Sequence, residues 1–302
     1  MSKGINPDIK ELLALRHYAT NVEFFNKMKV SSETTGNRLS IARGRGMDFE
    51  EVRRYQSGDD IRLIHWPLTA RLGKPYTKIY KEERERAVYL LVDQSQSMQF
   101  GTRVCFKSVL AAKIAAIFGW AALNHHEQIG GIVFNDDTAE FIKPKRSRQS
   151  ILDLFNLITT NNQKLRQHNS NFNGGLNNAL QLVYKKLQSG SIVIVISDYF
   201  NMNEETQTYL RLISGKSELI NILVYDPLEA SLPAIGGHYT FTDNGKSQLD
   251  ISANAKTCKL YSTPFENRRA LIKQPGQQLL QIATNDDLVQ KINYGVFKKH
   301  GR

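Results

Sequence analysis

Along most of this chain the apolar residues come in short unbroken runs rather than in alternation with polar ones. "AVYLLVD" (Ala87–Asp93), "IGGIVFND" (Ile129–Asp136), "SIVIVISD" (Ser191–Asp198) and "LINILVYD" (Leu219–Asp226) are runs of this kind, and "QLLQIAT" (Gln278–Thr284) is a weaker one. A strand with one wet face alternates, whereas a continuous run reads as a strand covered on both faces. Between the runs the period changes to that of a helix. Leu110, Ile114, Ile117, Phe118 and Ala121 recur at helical spacing, and "SILDLFNLI" (Ser150–Ile158) and "GLNNALQLVYKKL" (Gly175–Leu187) follow the same pattern. Strand and helix in alternation imply right-handed crossovers. The expected fold class is α/β, a doubly wound, mostly parallel sheet with helices on both faces.

Two segments depart from that pattern. "HYTFTDNGKSQLDI" (His238–Ile251) has strand-like flanks around Asn244-Gly245, which predicts a β-hairpin insertion. Residues 1–80 read as an N-terminal extension packing on the core, with residues 81–302 as the sheet-bearing domain. The extension opens with a short amphipathic helix near Asp8–Lys27. It continues through a Gly- and Arg-rich stretch in which a turn at Gly58-Asp59-Asp60 leads into a strand, Ile61, Leu63 and His65 alternating with Arg62, Ile64 and Trp66.

The strand ends carry the chemistry. Three runs end in aspartate, at Asp93, Asp198 and Asp226, and a fourth ends in Asn135-Asp136. Parallel strands bring these ends to one rim of the sheet, the rim at which open α/β sheets bind ligands. Like charges gathered there need a cation or basic side chains to offset them. In "DQSQS" the loop leaving the first run places Asp93, Ser95 and Ser97 at alternate positions, so one turn directs a carboxylate and two hydroxyls to one point. Asp198 adds a second carboxylate. Carboxylate and hydroxyl oxygens are the ligands of a hard divalent cation such as Mg²⁺ or Ca²⁺. The competing reading is that these side chains only form turns and cap the next helix.

The Asp-x-Ser-x-Ser pattern resembles the metal-ion-dependent adhesion site of von Willebrand factor A domains. Together with "GRGMDFEEVRRYQSGDDIRLIHWPLTARLGKPYTKIYKEERE" (Gly44–Glu85) and "YDPLEASLPAIGG" (Tyr225–Gly237), it makes roughly residues 35–290 similar to the DUF58 family. The resemblance implies an A-type domain in which Ser95 and Ser97 ligate the metal and Asp93 and Asp198 act mainly through bound water. It also implies a partner whose acidic side chain fills the open position, a MoxR-type AAA+ ATPase or its client. The family's Gly-Gly-Thr loop falls near "NSNFNGGLNNAL" (Asn169–Leu180), with Gly174 where the threonine belongs. The site is then either completed by Ser170, Asn171 or Asn173, or degenerate. Asp59, Asp60, Arg62, Trp66 and Arg71 match a shared signature, expected as a buried charge network tying the extension to the core or else as a partner surface. Asp226-Pro227 fits a strand-end turn, with a place in the rim as the alternative.

Composition narrows the partners. A net charge of +11 favours acidic ones, but the excess is spread along the chain apart from "KPKRSR" (Lys143–Arg148), so nucleic acid is not the expected ligand. Cys105 and Cys258 form neither a disulfide framework nor a metal-ligand pattern. "MSKGINPDIKELLALRHYA" lacks the apolar core of a leader, and "VLAAKIAAIFGWAAL" is broken by Lys113 and too short to span a bilayer, so a cytoplasmic protein is expected. No phosphate-cradling loop or Ser–His–Asp arrangement is visible, and His125-His126-Glu127 suits a helix C-terminus. The expectation is a non-enzymatic interaction or assembly module using Mg²⁺ or another divalent cation. Its alternatives are a metal-dependent phosphoester hydrolase and a charge-driven binder of nucleic acid or membrane surfaces. Against the hydrolase, Ser95 stands where an Asp-x-Asp nucleophile loop has its second carboxylate.

Overall fold

The computed structural model describes residues 4–20, 22, 47–82, 86–164, 174–232, 236–243, 247–274 and 277–295. The chain divides into two units, Met1–Lys27 with Arg86–Arg302, and Met28–Glu85. The larger unit begins with two short helices, α1 (Ile9–Ala14) and α2 (Arg16–Ala19). The Asp8 carboxylate caps α1 by accepting the Lys10 N–H at 3.0 Å. The buried Trp120 indole donates to the Leu12 carbonyl, while the Arg16 and Arg148 guanidinium groups lie 5.7 and 5.9 Å from its ring centre.

The smaller unit is an antiparallel pair, β1 (Met47–Arg54) and β2 (Tyr76–Glu82), joined through a 3₁₀ turn (Ile61–Leu63) and α3 (Trp66–Leu72). The strand expected from Ile61 onward is therefore replaced by helical turns. Local caps decide it. Asp60 accepts the Arg62 N–H, His65 Nδ1 accepts the Leu68 N–H, Pro67 sits in the first turn of α3, and Gly73 ends the helix at φ 66°. An alternation over six residues cannot compete with start and stop signals that close.

In the larger unit the described elements run β3 (Ala87–Asp93), α4 (Lys107–Asn124), β4 (Gln128–Phe134), β5 (Ala139–Lys145), α5 (Arg148–Lys164), α6 (Gly175–Lys186), β6 (Ile192–Ser197), α7 (Glu204–Ser214), β7 (Glu218–Tyr225), α8 (Pro227–Ala230), β8 (His238–Asp243), β9 (Ser247–Ser252), α9 (Ala255–Ile272), β10 (Gln278–Ala283) and α10 (Leu288–Gly295). Six strands form one sheet in the order β10-β7-β6-β3-β4-β5, all parallel except β5, which pairs antiparallel to β4. Helices cover both faces, so the fold is the doubly wound α/β arrangement expected from the runs. Tyr89, Leu91, Val193 and Val195 pack with Leu180 and Val183 of α6 and Leu210 of α7. On the other face Leu90 approaches Gly119 of α4, with Ile151 of α5 beside it. Every residue of β3 and β6 is buried, and α4 is buried nearly all round, as a helix apolar on every side must be. The hairpin is present, β8 pairing antiparallel to β9, with Asn244-Gly245 outside the described residues. Among the described residues no helix is long and apolar enough to cross a membrane.

The topology fixes where a ligand would meet the sheet. From β3 the chain moves outward through β4 to β5, then returns to β6 on the opposite side of β3 and moves outward again. The reversal lies between β3 and β6, and a crevice opens at the carboxyl ends of two strands whose crossovers diverge. Asp93 ends β3, and Asp198 directly follows β6.

Candidate metal centre

The loop leaving β3 is shaped by its own side chains. Asp93 Oδ1 accepts the Ser95 N–H at 2.8 Å, turning the chain back over the strand end. Gln94 points inward; its amide donates to the Asp93 and Ser108 carbonyls at 3.0 and 3.1 Å and accepts from Asn162 at 3.1 Å. Asp136 Oδ2 holds the loop from β4 by accepting the Gln96 N–H at 2.7 Å. The Ser95 and Ser97 hydroxyl oxygens then stand 3.1 Å apart.

β6 brings the second half. The Ser197 hydroxyl donates to Asp93 Oδ2 at 2.5 Å and accepts the Tyr199 N–H at 2.9 Å. Asp198 Oδ1 accepts the Phe200 N–H at 2.9 Å, and its Oδ2 accepts from the Lys107 ammonium at 2.7 Å. Lys107 is 0 % exposed and donates as well to Glu229 Oε1 at 2.6 Å. Asp93, Ser95, Ser97 and Asp198 line one open concavity, with Asp136, Gly174 and Phe200 among its other walls.

Electrostatics at this rim is uneven. Burial, reinforced by the charge of Asp198, pushes the Asp93 carboxyl up to about 7 against the hydrogen bonds from Ser197 and Ser95. Burial acts the same way on Asp198, but the Lys107 ammonium by charge and hydrogen bond, with the Phe200 N–H and the Ser97 hydroxyl, holds it below the usual carboxylate range. Asp93, Asp198 and Glu229 against Lys107 leave two negative charges when all are ionised. Among the described residues no group of three or more His, Cys, Asp or Glu side chains is placed to hold a metal, so a cation here would rest on the two hydroxyls and two carboxylates. The donor set fits one. Two ligands at adjacent corners of a Mg²⁺ octahedron lie about 3 Å apart for bonds of 2.0–2.1 Å, close to the 3.1 Å between the serine oxygens.

The four residues expected at the site are thus brought together, and Ser170, Asn171 and Asn173 lie outside the described residues. Gly174, expected at the threonine position, caps α6 at φ 72°, a left-handed conformation in which a β-branched residue is strained. Gly175 is fixed by contact: a Cβ there would fall 1.9 Å from the Asn135 carbonyl oxygen. Gly175→Ala is therefore expected to lower stability by about 1–3 kcal/mol by forcing the start of α6 off β4, read by thermal unfolding. A midpoint equal to wild type would show that this close approach is not obligatory.

Asp226 is turned away from the concavity. Its buried carboxylate caps α8 and takes donors from Thr102 and Thr284, while Glu229, in the same short helix, reaches Lys107. In the smaller unit Asp59 pairs with Arg53 at 2.6 Å and Asp60 caps the 3₁₀ turn, but Arg62, Trp66 and Arg71 are exposed rather than part of a buried network. Lys107, Ser197 and Glu229 were not singled out by the sequence. The available signal was a lysine at the head of a helix otherwise too apolar to face water.

A family model described as "Protein of unknown function DUF58" matches residues 51–270. An uncharacterized protein of Mycobacterium tuberculosis is 28% identical over 236 residues, covering 78% of this chain and 72% of that one. Among solved structures, the conserved hypothetical protein BatB from Bacteroides thetaiotaomicron shares 16% identity at a TM-score of 0.44, covering 69% of this chain and 95% of its own. Manganese-loaded TRAP protein from Plasmodium vivax shares 20% identity at a TM-score of 0.30, covering 46% of this chain and 56% of its own.

Proposed function

The chain belongs to the DUF58 family, and from that premise we propose that it is a non-enzymatic interaction module whose von Willebrand factor A-like domain binds an acidic partner through a divalent cation. The observation that carries the reading is the meeting of Asp93, Ser95, Ser97 and Asp198 at the strand-order reversal. Ser95 and Ser97 would hold the cation by their hydroxyls, with Asp93 and Asp198 supplying the charge behind them. The cation, Mg²⁺ by preference, would supply positive charge to a glutamate or aspartate of the partner. The family resemblance favours a MoxR-type AAA+ ATPase or its client as that partner, and the cytoplasm is the proposed compartment. A binding role also suits the carboxylates, whose oxygens accept from Ser95, Ser197, Phe200 and Lys107 and so are poorly placed to serve as a general base.

Calorimetric titration with MnCl₂ tests the centre. The wild type is expected to take up one cation, Ser97→Ala to bind at least tenfold more weakly, and Asp93→Ala to give no heat while keeping the wild-type circular dichroism. Titration of a MoxR-type ATPase in Mg²⁺ and then in EDTA tests the bridge. Equal affinity in the two buffers would reject it.

A further inference from the structure

We propose that the exposed side of α3 in the smaller unit is a second docking surface, built for a protein segment that presents acidic side chains around apolar ones. The inner side of α3 is engaged within its own unit at Leu68 and Thr69, though Leu72 beside them is exposed. The Thr69 hydroxyl accepts the Tyr76 N–H at 3.0 Å, the His65 N–H donates to the Tyr76 carbonyl at 2.8 Å, and Leu68 and Thr69 are half-buried. At about 100° per residue the opposite stripe carries Trp66, Ala70 and Arg71, all exposed. The preceding 3₁₀ turn adds Ile61 and Arg62, and the end of α3 leads to Lys74. Trp66 and Ile61 are each 63 % exposed. An indole left that open is not packed against the described residues of its own unit.

Charge complementarity selects the occupant. Among the described residues Arg62, Arg71 and Lys74 have no acidic partner; the acids beside them are engaged, Asp59 with Arg53 and Asp60 with the turn's own backbone. Three exposed basic side chains around a tryptophan and an isoleucine match a protein segment with carboxylates at its rim and apolar residues at its centre, since tryptophan and arginine are the side chains that anchor such interfaces. An anionic membrane fits less well, because two exposed apolar side chains and three basic ones make a small patch suited to a discrete segment rather than to a broad negative surface. This surface needs no metal, so chelation separates it from the centre at the sheet rim.

Trp66 is its own reporter, since the chain has two tryptophans and the other, Trp120, is 1 % exposed. The probe is an amphipathic peptide of about sixteen residues with leucine on one helical face and glutamate on the other, added to the full chain in EDTA. Acrylamide quenching is expected to fall at least threefold on saturation, and binding to weaken at least tenfold in Arg71→Glu by the same readout and in Trp66→Phe by calorimetry, while both variants unfold at the wild-type midpoint. No protection by the glutamate peptide, equal protection by its lysine counterpart, or binding unchanged in Arg71→Glu would overturn the proposal. So would stronger protection by phosphatidylserine vesicles or duplex DNA, which would assign the face to a membrane or to nucleic acid.

Discussion

Asp226→Ala is expected to cost about 3–5 kcal/mol of stability, which for a protein of this size lowers the unfolding midpoint by about 6–20 °C. The carboxylate is fully buried and accepts four hydrogen bonds: from the Thr102 N–H and hydroxyl at 2.9 and 2.7 Å, from the Thr284 hydroxyl at 2.6 Å and from the Leu228 N–H at 3.0 Å. Those donors come from the loop after β3, the end of β10 and the start of α8, so one side chain joins three segments distant in sequence. Removing it strands the buried Thr284 hydroxyl, at about 1–3 kcal/mol, and loses three part-buried hydrogen bonds from Thr102 and Leu228, at about 0.5–1.5 kcal/mol each. Burial alone would raise this carboxyl, but the hydrogen bonds from Thr284, Thr102 and Leu228 outweigh it and hold it below the ordinary aspartate value. A depressed folded-state pKa contributes stability that is complete above the unfolded value and is lost as pH falls through the folded one. The gap between wild type and variant should therefore be widest at neutral pH and close in the acid limb below about pH 4. Parallel unfolding curves of the two proteins across that range would show that Asp226 is not the acid-sensitive clamp the geometry makes it.

The sequence made the sheet legible because burial on both faces writes itself as continuous apolar runs, and every parallel strand was announced that way. β5 was not. It lies at the edge, is mostly half-buried and contains Pro144, so it lacks the run and its pairing with β4 is set by the tertiary fold. The segment after Gly58 failed for the opposite reason, since an alternating pattern was present and the caps at Asp60, His65 and Gly73 overruled it. At the centre, Asp93 and Asp198 could be read because strand ends in a parallel sheet share a rim by topology alone. Glu229 could not, because it reaches the rim only through the position of α8, which Asp226 fixes. Gly174 and Gly175 looked like a loop with a missing hydroxyl. Their places depend on a left-handed backbone and on the carbonyl of Asn135, neither of which leaves a mark in composition.

Lys107→Met should be as damaging in the absence of divalent cations, at about 3–5 kcal/mol, because it leaves Asp198 and Glu229 without the charge they were buried against. Burial opposes the ammonium, yet the attraction of Asp198 and Glu229 and the hydrogen bonds to both raise its pKa above the ordinary lysine value, so the lysine is held charged with no exposure to water. Methionine keeps most of the volume, which confines the loss to charge and hydrogen bonding. The variant also probes the centre, since Lys107 and a cation on Ser95 and Ser97 would both answer the negative charge of Asp198. Taking the lysine away raises the electrostatic demand at the rim, and a divalent cation can meet it where a monovalent one meets it only in part. Manganese is therefore expected to raise the unfolding midpoint of Lys107→Met by at least twice the shift it gives wild type. Adding Asp198→Asn should cancel most of that excess, because the unpaired carboxylate is then gone. Equal manganese shifts in wild type and Lys107→Met would mean that the lysine and the cation do not share one field, and the metal reading of the rim would fall with that result.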